Sequence, residues 1–256
     1  ADMQVFDSIA RRGAVMLPGY RYLEVGNGLY EVFGGEFDWL YRMQGVITFT
    51  NELFTSFNLF RKSSRGRSGQ EELHAFDRLL LFGEGMIEWK EVDHPQHGKV
   101  EVGGITKQWL RQPPSFLLEE ECHRNMAFTL YHADQMPRIE VESITVRPLS
   151  DALCEVTAVI ANQKLTPTRL AHDRKKKITA PDRVTLSGDG IRVIVGLLAS
   201  DRLFQKAKEQ KHEPESLRME AVPGMGVVFT RWIVEGKGPF TVTARSTKGG
   251  VHTLRQ

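Results

Sequence analysis

The chain has 256 residues, 41% of them hydrophobic and 26% charged, with 34 Lys and Arg against 32 Asp and Glu for a net charge of +2. That length suits about two domains with a sizeable core. The near-neutral balance argues against nucleic acid or an anionic membrane as a partner, and no run approaches the roughly 18 uninterrupted apolar residues of a membrane span.

The sequence starts at Ala1 without an initiator Met, and A-D-M-Q-V-F-D-S-I-A-R-R has the pattern of a helix already under way. Met3, Phe6, Ile9 and Ala10 fall on one face of it, and Pro18-Gly19 ends the segment. There is no signal peptide to read, and such a start leads us to expect the C-terminal part of a longer protein. From Tyr20 to Leu29 the residues are mixed, and Gly26, Asn27 and Gly28 give the freedom of a loop. The most informative stretch is Y-E-V-F-G-G-E-F-D-W-L-Y-R-M-Q-G-V-I-T-F-T-N-E, from Tyr30 to Glu52. Gly34-Gly35 breaks one element, Asp38 to Tyr41 supplies a short amphipathic helix, Gly45 ends it, and Val46 to Leu53 alternates as a strand does. Glu52 would then stand at the carboxyl end of a strand, where ligands gather in open α/β sheets.

Residues 61 to 72 (R-K-S-S-R-G-R-S-G-Q-E-E) are polar and Gly/Ser-bearing, which predicts an exposed loop. Glu71 to Phe82 returns to helix, with Leu73, Phe76, Leu79 and Leu80 on one face and Gly83 at its end. In D-H-P-Q-H-G-K-V-E-V-G-G, Asp93, His94 and His97 are the side chains most able to ligate a metal, and Glu101 is a second strand-borne carboxylate. Two histidines three apart in a Pro/Gly turn are not preorganised as an i, i+4 helical pair is. Ser115 to Ala133 is a strong helix with Ser115 as N-cap, and Leu118, Cys122, Met126 and Leu130 repeat at i+4 as a core stripe. His123 and His132 then lie on the surface or in a second layer. Cys122 and Cys154 fall in a helix and a strand, positions that suit buried free thiols; one disulfide between them is the alternative.

From Arg138 the composition changes. R-I-E-V-E-S-I-T-V, L-C-E-V-T-A-V-I-A, D-R-V-T-L, G-I-R-V-I-V-G-L-L, V-V-F-T-R-W-I-V and G-P-F-T-V-T-A-R-S are short strand-like runs divided by turn residues. Such spacing predicts an antiparallel sandwich able to close its own core. Arg174 to Lys177 is a basic run expected in a solvated loop. His212-Glu213-Pro214-Glu215 fits H-x-x-E, a spacing used by zinc ligands, but its Pro denies the helical geometry.

The central stretch resembles the zinc metallocarboxypeptidases of the carboxypeptidase A type. Their pattern of Tyr, three residues, Gly-Gly, two residues, Asp-Trp and a later Glu is met without a gap by Tyr30, Gly34-Gly35, Asp38-Trp39 and Glu52, thirteen positions beyond Trp39. Taken singly, each element has a structural explanation: a turn, a helix cap over a core indole, a solvated carboxylate. Together they imply an α/β fold, with residues 1–135 the C-terminal part of a mixed-sheet catalytic domain and residues 136–256 an all-β immunoglobulin-like sandwich. The resemblance further implies Glu52 as general base on a zinc-bound water, Tyr30 on a loop that covers the bound peptide, and Phe37 at the floor of the pocket for the substrate's terminal side chain. Phe37 would favour apolar or aromatic side chains over basic ones; core packing is its other role. Peptide or protein C-termini are the implied substrates. Zinc is the implied cofactor of the full-length parent, with its ligands and the carboxylate-binding arginines upstream of Ala1, so this stretch supplies no metal ligand and would be inactive alone. An extracellular or periplasmic location is what the family suggests. Two alternatives stand beside peptidase activity: a catalytically degenerate relative that binds peptides or glycans, and a zinc amidohydrolase or deacylase acting on non-protein amides.

Overall fold

A computed structural model describes the backbone of residues 2–54 and 67–256, and the side chains of these except at 67–70, 110 and 111. The chain is mixed α/β, with a strand-rich C-terminal part of antiparallel sheets. The described elements before the sheets are α1 (Asp2–Met16), α2 (Val25–Gly28), α3 (Glu36–Gln44), α4 (Arg67–Phe76), a π-helical turn (Asp77–Leu81), the strands β1 (Met86–His94) and β2 (Gly98–Ile105), α5 (Lys107–Arg111) and α6 (Ser115–Asp134). Contacts divide the chain into two compact units, one of Ala1–Ile9, Val32–Phe49 and His132–Gln256, the other of Ala10–Glu31 and Thr50–Tyr131.

In the first unit, nine strands come after α6. β3 (Ile139–Pro148), β4 (Leu153–Asn162), β9 (Gly226–Glu235), β6 (Arg192–Ala199) and β7 (Lys208–Glu209) form one sheet in that order, and β11 (Gly250–Arg255), β10 (Thr241–Ser246), β5 (Asp182–Ser187) and β8 (Ser216–Met219) form the other. All pairings are antiparallel. Alternating residues of both sheets meet in one core, where Val156, Ile160, Trp232 and Val234 face Val184, Leu186, Leu217, Val242 and Ala244. This is the period-2 burial of two sheets stacked face to face. Six of the nine strands match the runs expected from the sequence. β7, β8 and β11 are additional: the first two are very short edge strands, and β11 is paired through a turn at Thr247–Gly249.

The same unit contains α3, which starts after Gly35 and ends at Gly45 in the left-handed conformation (φ 60°), a common C-cap. Asp2 accepts the backbone N–H groups of Ala171 at 2.7 Å and His172 at 2.9 Å, capping the short helix α7 (Ala171–Lys176). Tyr41 donates to Asp2 at 3.1 Å and stacks on the His172 ring, with centroids 4.8 Å apart. Burial and the Asp2 carboxylate push the Tyr41 phenol up to about 12. Lys248 Nζ bridges Gly45 O at 2.5 Å and Asp173 at 2.7 Å. The basic run at Arg174 to Lys177 is therefore helix and helix end, with its cations exposed as expected.

The second unit has its own apolar cluster, in which Phe54, Phe76 and Leu81 pack with Leu80, Trp109 and Leu117. The expected loop at 61–72 is helical from Arg67; its first part lies outside the described residues. The expected helix at 71–82 changes to π geometry at Asp77, and the wider turn shifts the phase, so Leu81 is buried while Leu79 is exposed. β1 and β2 form a hairpin around the turn at Pro95 to His97.

Three further expectations are corrected. Val46 to Leu53 is not a strand: its residues alternate in the sequence, but its burial does not keep that period and none of it pairs with a described strand. Alternation records which side faces a surface, whereas a strand also needs a neighbour to complete its backbone hydrogen bonds. On α6 the stripe Leu118, Cys122, Met126 and Leu130 is exposed, and Asn125 and Phe128 are buried instead. The cause is close approach at Gly13, where any Cβ would overlap the Phe128 ring. Cys122 is accordingly an exposed free thiol; Cys154 is buried and free. Met3, in the first turn of α1, is exposed, whereas Ile9 and Ala10 further along are buried.

Candidate functional site

Glu52 lies in the second unit, and its side chain is exposed. Its two neighbours are tied down. Asn51 Nδ2 donates to Asn125 Oδ1 at 2.9 Å, and Leu53 O accepts from the Tyr20 hydroxyl at 2.6 Å. Asn125 Nδ2 closes the ring by donating toward the Tyr20 oxygen at 3.2 Å, and toward Glu121 O and Oε1 at 3.0 and 3.1 Å. The Tyr20 oxygen also lies against Glu121 Oε1, so its single proton is shared between Leu53 O and that carboxylate. Burial, and then the Glu121 carboxylate, push the Tyr20 phenol well above its ordinary value, so it stays a donor. One residue further on, Phe54 is buried against Phe76, with centroids 6.1 Å apart. Segment 51–54 is thus held by side chains and not by a sheet.

Tyr30 is in the same unit and is 67% exposed. It comes after α2, a single helical turn within the expected loop, and its N–H donates to Val25 O at 3.1 Å. Phe37 belongs to the first unit, half-buried in the first turn of α3. A Cβ on Gly35 would lie 3.2 Å from its ring, which is why a small residue precedes it. Trp39 is 54% exposed and so is not a core indole, and Asp38 pairs with Arg42 at 3.6 Å one turn along α3.

The histidines of the hairpin turn stack on one another, His94 on His97 with centroids 4.7 Å apart, and both are exposed. Glu101 is exposed on β2 opposite Glu91, which is bound by Lys99 at 2.6 Å. Glu213 has a left-handed backbone (φ 50°), and Pro214 O accepts the Trp232 indole N–H at 3.0 Å, so H-x-x-E here serves the sandwich core. His132 is half-buried, edge-on to Phe49 at 5.0 Å; burial lowers its pKa against a hydrogen bond donated to the Ile47 backbone that raises it. His123 is exposed. Among the described residues no group of three or more His, Cys, Asp or Glu is arranged to hold a metal ion. The described side chains therefore do not fit a zinc site by themselves.

Sequence reasoning missed Tyr20, Asn51, Glu121 and Asn125. One signal was available: Asn is a poor helix former because it competes for backbone hydrogen bonds, so Asn125 in mid-helix points to a polar task.

The described fold is thus an α-helical part with one hairpin joined to a two-sheet antiparallel part, and it presents an exposed carboxylate on an anchored segment. Residues 138–255, the two-sheet part, match a family described as a domain of unknown function (DUF8731). No curated protein matches the chain. No helix among the described residues is long and apolar enough to cross a membrane.

Proposed function

We propose that the chain is the C-terminal portion of a zinc metallocarboxypeptidase catalytic domain with an appended β-sandwich, and that its parent cleaves C-terminal residues from peptides or proteins. The observation that carries this is the ungapped register from Tyr30 through Gly34-Gly35 and Asp38-Trp39 to Glu52. Hydrolysis of a peptide bond needs a base beside the attacking water, and a carboxylate that is exposed yet attached to an anchored segment meets that need. Glu52 takes the proton from the attacking water and passes it to the leaving amine. Tyr30, exposed after a short loop, closes over the substrate. Phe37 lines the pocket for an apolar or aromatic terminal side chain. Zinc ligands and the cations that bind the substrate carboxylate come from outside residues 1–256. The exposed stripe Leu118, Cys122, Met126 and Leu130 is surface that further elements of such a domain would cover.

Replacing Glu52 by Gln in the full-length protein tests the assignment. Loss of a general base lowers turnover by roughly 10²–10⁴-fold while substrate binding persists. Unchanged turnover sinks the assignment of Glu52; absence of any turnover in the native full-length protein favours a binding protein on the same fold, and activity confined to non-peptide amides favours a deacylase.

A further inference from the structure

Glu52 poses a positioning problem. Its side chain is exposed and its segment has no described strand beside it, yet a base acts only when held within a fraction of an ångström of its proton. We propose that Tyr20, Asn51 and Asn125 form a clamp that positions Glu52, gripping the residue on each side of it and tying both to α6. This rests on the assignment of Glu52 as general base.

The grip is a closed ring. Asn51 reaches Asn125 through its side chain, at 2.9 Å, and Leu53 reaches Tyr20 through its carbonyl, at 2.6 Å. Asn125 and Tyr20 then meet at 3.2 Å. Glu52 is the one residue between the two anchors, so its backbone cannot turn without breaking one of them. Asn125 is nearly buried, and with the Glu121 contacts each of its side-chain polar atoms has a partner. A fully satisfied buried network is rigid, whereas one left partly unpaired is costly. Tyr20 is suited to the outer corner because a phenol kept protonated donates across the whole working pH range. None of these groups needs to touch the substrate, so they are positioning residues.

The test pairs Tyr20→Phe and Asn51→Ala with Glu52→Gln in the full-length protein. Tyr20→Phe keeps the ring and removes only the hydroxyl, and melting curves check that each variant folds. The expected result for the first two is a kcat lower by about 10- to 100-fold, with KM altered by less than about twofold and a melting transition that is lowered but still cooperative. In residues 1–256 themselves, Asn125→Ala should raise amide hydrogen exchange at 51–54 and leave the sandwich protected. Normal kcat in Tyr20→Phe and Asn51→Ala, with turnover lost in Glu52→Gln, overturns the clamp and leaves the base assignment standing. Full turnover in Glu52→Gln overturns both.

Discussion

Asp2 caps a helix that begins 169 residues later at Ala171, its two carboxylate oxygens accepting the first N–H groups of α7 at 2.7 and 2.9 Å. The residue before that helix is Leu170, whose side chain cannot accept a hydrogen bond, so the cap comes from elsewhere in the chain. Replacing Asp2 by Ala should destabilise the first unit by about 1 kcal/mol, in the range of lost caps, and release the Tyr41 hydroxyl. Thermal unfolding measures the loss, and a phenol titration should show Tyr41 returning toward about 10.

Lys248 holds Asp173, which is fully buried, and Gly45 O at the end of α3. Burial is the largest single influence on Asp173 and pushes its carboxyl up; Lys248 and Thr179 together outweigh it, and the net shift is down. A lowered folded pKa contributes stability that is present above the unfolded value near about 4 and is lost as pH falls through the folded one. Lys248→Met should destabilise the unit at neutral pH, by less than the roughly 3–5 kcal/mol of a stranded buried charge because Arg169 remains 3.6 Å from Asp173, and should flatten this acid dependence. Chemical denaturation at several pH values below about 5 checks both.

Asp182 should behave in the opposite sense. It is buried, Thr168 donates to its Oδ2, and its Oδ1 makes no close hydrogen bond among the described residues. Burial raises its pKa more than Thr168, Ser246, Val222 and Arg169 lower it. Its contribution is then fully present below the unfolded pKa and lost as pH rises through the folded one. Asp182→Asn should be at least as stable as the native chain at about pH 7, with the native chain gaining on it as pH falls toward about 4. A parallel pair of stability curves with no crossing trend would contradict this.

The two thiols should separate cleanly. Cys122 is exposed on α6, whereas Cys154 is buried in β4 with its Sγ near Val234 O and Gly236 O, and burial raises its pKa. A thiol reagent should label Cys122 rapidly in the native protein and Cys154 only on unfolding. Equal rates for both would place the β4 edge of the core wrongly.

Local chemistry alone determined a good deal. Gly35 and Gly45 bound α3, since a left-handed terminus is a property of one residue, and the alternation in β3, β4, β5, β6, β9 and β10 marks strands because each buries one face on a shared core. The Tyr30 to Glu52 register is likewise visible in one dimension. Other features depended on partners distant in the chain. Val46 to Leu53 has the alternation of a strand, but hydrogen-bonded neighbours decide whether a strand forms, and Tyr20 and Asn125 hold its end instead. On α6 the apolar stripe from Leu118 to Leu130 is exposed, and the missing side chain at Gly13 lets the face bearing Phe128 pack inside instead. The capping of Ala171 by Asp2 and the pairing of Lys248 with Asp173 have no pattern in sequence, because a hydrogen bond depends on distance in space and the chain brings those atoms together only when it folds.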